Sequence, residues 1–294
     1  MAALSRRDAG KLIAGGAAAL LLPDLAVAHP HVNSKFRGVQ LGAQSYSFRD
    51  RPLDAAIAGY RAVGLGECEL FSPHAEPPGL KGEELKEWQR TAPDSWFHAI
   101  RRKFDAAGVL LYAYNYSFRK TMTDAEIERG FQEARALGVK YITASANVSV
   151  APRVDQYAQK YKIKVGFHGH DQTSNPDEFS TPDTFARALK GASPYLGINL
   201  DIGHFTAAGG DPVAYLKEMH EKMVTIHIKD RKKDHGANLP FGEGDTPIVA
   251  VLQLIRDRGW KFPANIEYEY GKPGMDTIAE MKKCVAYCKH ALES

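Results

Sequence analysis

Four runs in the second half of the chain decide its fold: 163–168 (IKVGFH), 196–201 (LGINLD), 223–229 (MVTIHIK) and 264–270 (ANIEYEY). Each is short, largely apolar and rich in β-branched or aromatic residues, the composition of a buried strand. Helical patterns stand between them at 182–190, 211–221 and 247–258, and a last one covers 275–291. The alternation extends backwards through 139–146 (VKYITASA), 109–115 (VLLYAYN), 66–71 (GECELF) and 38–47 (GVQLGAQSYS), with helical patterns at 123–136, 94–107 and 53–63. Gly64, Gly108, Gly138 and Gly259 each lie between a helical pattern and the next strand, where left-handed backbone ends a helix. Strands alternating with helices pair in parallel, and eight such units predict one closed (β/α)8 TIM barrel over residues 29–294. A doubly wound open sheet is the alternative, weakened because no glycine-rich phosphate loop follows the first strand.

The chain has 294 residues, and a barrel of this kind needs about 250. A hydrophobic share of 44% and a charged share of 25% are ordinary for a globular protein. A net charge of +3 lacks the basic excess of a dedicated nucleic-acid binder. The three cysteines, Cys68, Cys284 and Cys288, are too few for a disulfide framework. Cys284 and Cys288 share a helical face and read as small buried residues rather than a metal pair.

Residues 1–28 read as a targeting segment. Ser5-Arg6-Arg7-Asp8-Ala9-Gly10-Lys11 carries twin arginines, an apolar run from Leu12 to Leu22 follows, and Ala26-Val27-Ala28 supplies small residues for cleavage before His29. The apolar run is shorter than the ~20 residues of a membrane span. The stretch looks like a twin-arginine export signal, which implies a periplasmic or exported protein without stable membrane anchoring after cleavage. A plain amphipathic helix is the competing reading. The Pro- and Gly-rich stretch 72–93 is expected to be a long loop on the catalytic face, in the position of a lid.

Chemistry in this architecture sits at the C-terminal ends of the strands. His168 ends the fifth strand, Asp201 ends the sixth, His227 lies in the seventh and Glu267 in the eighth. Taken singly, an inward histidine is often a hydrogen-bonded core residue, and Asp201 has the alternative of capping the next helix. Four such residues on consecutive strands are a less ready accident, because an apolar interior does not tolerate unpaired charge without a cation. Two imidazoles and two carboxylates suit one divalent ion of the Mn2+, Co2+, Zn2+ or Fe2+ type better than Mg2+ or Ca2+. His170 points the same way as His168 and is a candidate proton carrier, since imidazoles exchange protons near neutral pH. Glu69 and His74 are candidate substrate contacts after the second strand, with capping or surface roles as the alternative. Tyr46, Phe48, Tyr114, Tyr116 and Phe118 are candidates for an aromatic floor under a sugar ring, although such residues are more often core.

Asp201-Ile202-Gly203-His204, Gly209-Gly210-Asp211-Pro212, His227-Ile228-Lys229-Asp230, Gly242-Glu243-Gly244 and Glu267-Tyr268-Glu269 together resemble the xylose isomerase-like barrel superfamily of sugar phosphate isomerases and epimerases. The resemblance covers nearly all of 29–294. It implies a metal held by Glu, Asp, His and Glu, of which Asp201, His227 and Glu267 match. Where the family commonly has Glu-Asn-His, this chain has His168-Gly169-His170, so His168 is read as a substituted ligand. The resemblance also implies that His204 faces the substrate and that Lys229 lies beside the metal-binding histidine, a salt bridge to Asp230 or Glu267 being the alternative for it.

The activity implied is a manganese- or other metal-dependent sugar isomerase or epimerase working through a metal-stabilised enediolate on a keto-sugar, with His170, Glu267 and Lys229 as catalytic groups and Tyr114 among the substrate contacts. Loss of one family glutamate to His168 removes a symmetric two-base arrangement. This points to an alternative, β-elimination from an oxidised glycoside, which some exported superfamily members resemble as 3-keto-glycoside lyases. Two other classes compete. A nuclease like the apurinic endonucleases is disfavoured because the third strand ends in Asn115 without a histidine and Asp234-His235 has the wrong spacing. A catalytically silent sugar-binding module would be told apart by turnover. The expected partner is a small carbohydrate and not nucleic acid. Homo-oligomerisation is compatible with the sequence.

Overall fold

The computed structural model describes residues 29–271 and 274–294; the Arg6-Arg7 segment and the Ala26-Val27-Ala28 site lie outside the described residues. Eight parallel strands follow one another round a closed barrel: β1 (Val39–Gln44), β2 (Glu67–Phe71), β3 (Leu110–Asn115), β4 (Tyr141–Ser145), β5 (Lys164–His168), β6 (Leu196–Asp201), β7 (Met223–Ile228) and β8 (Ala264–Ile266). Closure comes from β1 pairing with β8, with Leu41 opposite Ala264 and Gly42 opposite Asn265. A two-residue strand, Lys35–Phe36, pairs antiparallel with β1 just before the barrel begins.

Every run read as a strand is one, but β8 stops at Ile266, so Glu267 and Glu269 lie just beyond it. The ladder persists one step further, since Glu267 N donates to Ile228 O at 3.0 Å. Gly64, Gly108 and Gly259 cap their helices at φ 75°, 65° and 65°, left-handed backbone that a side chain disfavours. The helix at Asp124–Ala136 is started by a reciprocal box in which Thr123 and Glu126 bond each other's backbone N–H.

The expected loop at 72–93 is largely helical, with helices at Ser72–Ala75 and Gly82–Thr91. Residues Ala151–Tyr161, for which no helix was expected, form the helix after β4. Ile202–Ala207 adds a short helix directly on the end of β6.

The apolar core lies mainly between barrel and helices. Phe167 stacks on Phe179 with ring centres 4.6 Å apart, and Phe179 meets Phe185 of the helix Pro182–Leu189. Cys68, Cys284 and Cys288 are free and buried, as read from the sequence. Among the described residues, no helix is long and apolar enough to cross a membrane.

The inside of the barrel is polar. Tyr112, left unpaired where the β2–β3 register slips between Cys68 and Glu69, turns inward out of step with Tyr114 and donates to Val224 O at 2.8 Å, and Thr143, Asn199, Thr225 and Asn265 are all fully buried. This interior leads upward to the site.

Candidate metal centre

Residues two apart on a strand share a face. That parity sends His168, Asp201 and His227 inward at the top of β5, β6 and β7, with Asp201 opposite His227 in the ladder. Glu267 joins them from just past β8. One ligand atom from each of these four buried residues lies within 4.8 Å of every other. Among the described residues, this is the one group of His, Cys, Asp and Glu so gathered.

Asp201 does both things its position allows. One carboxylate oxygen, Oδ1, accepts from His204 N at 2.7 Å and caps the short helix. The other, Oδ2, faces the centre, 3.5 Å from His168 Nε2 and 3.1 Å from Lys229 Nζ. His227 is held from below: Nε2 lies 2.8 Å from Glu69 Oε2, while Nδ1 lies 3.2 Å from Glu267 Oε2. Glu69 in turn accepts from Thr143 Oγ1 at 2.6 Å and Gln44 Nε2 at 3.1 Å. A histidine that donates one ring N–H to a buried carboxylate is fixed in tautomer and orientation, the usual support of a metal-binding imidazole.

The electrostatics are those of a site with too much negative charge. Lys229 Nζ sits 2.7 Å from Glu267 Oε2 and 2.6 Å from Glu269 Oε2, as well as beside Asp201. Burial works most strongly against the charge on Asp201 and Glu267, but the Lys229 ammonium and the neighbouring imidazoles, His204 and His168 beside Asp201 and His227 and His168 beside Glu267, together outweigh it and hold both carboxyls well below their ordinary range. Burial likewise opposes charge on His227, and Glu69 and Glu267 on either side overcome it and raise the imidazole. Burial pushes His168 the other way, down to about 4.

The residues present fit a divalent ion. Both ring nitrogens of His168 are buried without a hydrogen-bond partner, and Asp201 Oδ2 meets the Lys229 ammonium. A buried polar group left unsatisfied costs about 1–3 kcal/mol, and His168 stands where the four ligand atoms converge. Nitrogen and carboxylate donors together are the set that borderline divalent ions prefer.

Residues 54–288 match the model of the xylose isomerase-like TIM barrel. The chain belongs to that family. L-ribulose-5-phosphate 3-epimerase of Escherichia coli is 28% identical to it over 97 residues, 33% of this chain and 34% of the epimerase. The chain spans less than half the length of the curated relatives it matches. A sugar phosphate isomerase/epimerase from Parabacteroides distasonis shares the fold with a TM-score of 0.63 at 18% identity, covering 87% of this chain and 97% of that one. The IOLI protein, solved with a binding zinc atom, gives a TM-score of 0.61 at 16% identity over 87% and 96% of the two chains.

In this xylose isomerase-like barrel the motifs have local reasons. Asp230 accepts backbone N–H groups from Gly242, Gly244 and Thr246, tying the loop after β7 into place. A β-carbon on Gly244 would lie 1.9 Å from Asp230 Oδ1, so only glycine fits. Lys229 is thereby left to the carboxylates of the centre: of the two alternative salt bridges read from the sequence, the one to Glu267 is made and the one to Asp230 is not.

A cavity of about 270 Å³ opens above the centre. His170, His204 and Tyr46 line it, along with Gln44, Asn115 and Ser145. His170 Nδ1 lies 2.8 Å from Glu178 Oε1, and its Nε2 lies 3.5 Å from Ser145 Oγ. His204 stands between two cations, with Nε2 3.0 Å from Lys229 Nζ and Nδ1 2.6 Å from Arg231 Nη1. Glu178 and Arg231 carried no local signal in the sequence.

Several expected contacts lie elsewhere. Tyr114 points outward into the helix layer, where its hydroxyl donates to Glu133 at 2.9 Å. Glu69 is fully buried below the centre, with its oxygens engaged by His227, Thr143, Gln44 and Asn265, so it supports a ligand and does not face the cavity. His74 stands off the rim, with its ring nitrogens 2.8 Å from Ser45 Oγ and 3.1 Å from Arg51 O. Of the aromatic floor, Tyr46 reaches the cavity. Phe48 packs on Tyr60, Phe118 stacks on Phe131, and the Tyr116 hydroxyl donates to Glu126 O.

Proposed function

We propose that this chain is a divalent-metal-dependent enzyme of the sugar isomerase/epimerase type, which takes a proton from the carbon beside the carbonyl of a keto-sugar. The observation that carries this reading is the position of one oriented imidazole, His170, on the rim of a cavity that His168 and Glu267 of the four-residue centre also line. The epimerase and isomerase/epimerase relatives named above support the substrate class.

His168, Asp201, His227 and Glu267 would hold the ion, with Mn2+ the first candidate and Co2+, Zn2+ or Fe2+ the others. When bound, it supplies Lewis acidity that acidifies the C–H next to a carbonyl and stabilises the oxyanion.

The protein's own groups do the rest. Glu178 accepts from His170 Nδ1–H, which leaves the Nε2 lone pair toward the cavity as the base. Lys229 keeps Glu267 and Asp201 ionised, so its part is charge balance. His204, whose two ring nitrogens meet Lys229 and Arg231, shapes the cavity wall and leaves the hydrogen bonds to substrate to other groups. Return of the proton from His170 to the neighbouring carbon, with the hydroxyl proton passing from one oxygen of the enediolate to the other, completes an isomerisation.

A second reading follows from asymmetry. His168 stands where a carboxylate base is expected, and burial lowers its proton affinity and makes it a weak base, so the base capacity lies with His170. One base suffices for β-elimination from a 3-keto-glycoside: the C–H electrons form the C=C bond, the glycosidic C–O bond breaks, and the departing oxygen takes the proton back from His170.

The test is to incubate metal-loaded enzyme in D2O with a free ketose and with a 3-keto-glycoside. We expect deuterium at the carbon beside the carbonyl, with exchange falling about 10²–10⁴-fold in His170→Ala while metal is retained. Release of the aglycone from the keto form alone would select elimination, and ketose interconversion without cleavage would select isomerisation. Exchange at the wild-type rate in His170→Ala would overturn the assignment of the base.

Export by the twin-arginine route, to a periplasmic site of action, is proposed on Arg6-Arg7 and Ala26-Val27-Ala28. Changing both arginines to lysine should keep the precursor in the cytoplasm. Mature protein outside at an unchanged yield would contradict it.

A further inference from the structure

Asp234-His235, the pair whose spacing disfavours a nuclease, has no part in the reaction above. It lies in a hairpin that leaves the end of β7. Arg231 pairs antiparallel with Asn238, Lys232 N donates to Ala237 O at 3.1 Å, and Gly236 N donates to Lys233 O at 3.0 Å. The two residues at the tip, Asp234 and His235, both have left-handed backbone, at φ 54° and 60°. That is the type I′ turn, in which Asp-Gly is the favoured pair. Here an imidazole stands where glycine would be easiest, so the chain carries backbone strain to place a side chain at this point.

The support beneath it is built. Arg231, itself buried, donates through Nε and Nη2 to Gly236 O at 3.0 and 2.7 Å. The same guanidinium lies 3.0 Å from Asp171 Oδ2 and 2.6 Å from His204 Nδ1. His235 Nδ1 lies 3.3 Å from Asp171 Oδ2. One arginine thus joins the hairpin, the loop after β5 and His204 on the cavity rim.

A second cavity of about 360 Å³ lies here, lined by Asp171, Gln172, Thr173, Ser174 and His235. It adjoins the first one: Asp171 follows His170 in the chain, and its Oδ1 lies 3.7 Å from His204 Nδ1. Each is close in size to the small end of ligand sites, about 300–1,000 Å³. Its walls are an amide, two hydroxyls, a carboxylate and an imidazole. They offer donors and acceptors to hydroxyl groups and little apolar surface to a hydrophobic aglycone. The guanidinium beside it is already taken up by Gly236 O, Asp171 and His204, so it is not free to receive a phosphate.

We propose that this cavity is a second subsite for a neutral sugar ring, the leaving group of a disaccharide-type keto-glycoside. The inference rests on the reading of the first cavity as the keto-sugar site. The keto ring occupies the His170 side, and the second ring lies against Thr173 and His235.

The test uses metal-loaded enzyme with maltose, cellobiose and trehalose oxidised at carbon 3 of one glucose, beside the α- and β-methyl glucosides oxidised in the same way. At least one disaccharide should show a KM about tenfold below that of its methyl glycoside, the worth of one or two hydrogen bonds. His235→Ala and Thr173→Ala should each remove most of that advantage, with kcat and the methyl-glycoside KM unchanged. Equal KM values for all disaccharides and methyl glycosides, or variants that affect both kinds equally, would overturn the subsite. If no keto-glycoside turns over, the elimination reading fails, and the subsite is judged separately by calorimetric titration with the three unoxidised disaccharides. Binding of one of them that is lost in His235→Ala supports it, and no binding, or equal binding in the variant, overturns it.

Discussion

Along β5, β6 and β7, neighbouring residues in the chain face opposite surroundings. Phe167, Leu200, Ile226 and Ile228 alternate with His168, Asn199, Asp201 and His227, and all eight are buried. The first four pack under the helices in an apolar layer. The second four line the barrel interior, where His168 and Asn199 keep buried polar atoms without hydrogen-bond partners. Two faces of the same strands therefore do different work. The outer layer supplies the stability that the inner face, at about 1–3 kcal/mol per unsatisfied group, does not. A barrel whose interior were filled with branched aliphatic side chains would be easier to stabilise and would have nothing to bind with.

That division can be broken from the outside. Phe167→Ala removes a ring stacked on Phe179 and should cost about 3–5 kcal/mol of stability, read as a lower urea midpoint. The molecules that remain folded should bind metal as the wild type does. A loss below about 1 kcal/mol, or a parallel loss of metal affinity, would show that the two faces are not separate in this way. A smaller effect sharpens the comparison from the inside. Glu69→Gln keeps the shape below His227 but removes the carboxylate that its Nε2 faces at 2.8 Å. Metal affinity should fall about 10–100-fold. Unchanged affinity would mean that His227 needs no support from beneath.

The same alternation explains what was legible in the sequence. The strands were readable because their outward residues are β-branched or aromatic, and the helix ends because Gly64, Gly108 and Gly259 mark them. The centre was readable because His168, Asp201 and His227 fall at strand ends with the right parity. Parity also places Tyr114 and Asn115 on opposite faces of β3; since Asn115 reaches the cavity, Tyr114 must turn away from it. Glu69 has inward parity, but its depth depends on how far β2 continues above it, which no local pattern states. The helix Gly82–Thr91 buries none of its residues and so has no apolar stripe to read. Glu178 meets His170 through a loop return, and nothing in the local sequence announces that contact.

Metal content tests the four-residue centre most directly. Protein purified without chelator should carry about one equivalent of a divalent transition metal by elemental analysis. Asp201→Asn keeps size and the capping oxygen but loses the charge facing the centre. It should keep the circular dichroism spectrum of the wild type while its metal falls to background, and Tyr114→Phe, altered in the outer layer, should keep the full equivalent. Full occupancy in Asp201→Asn, or a metal-free wild-type protein that takes up none of Mn2+, Co2+, Zn2+ or Fe2+ on titration, would contradict the metal centre.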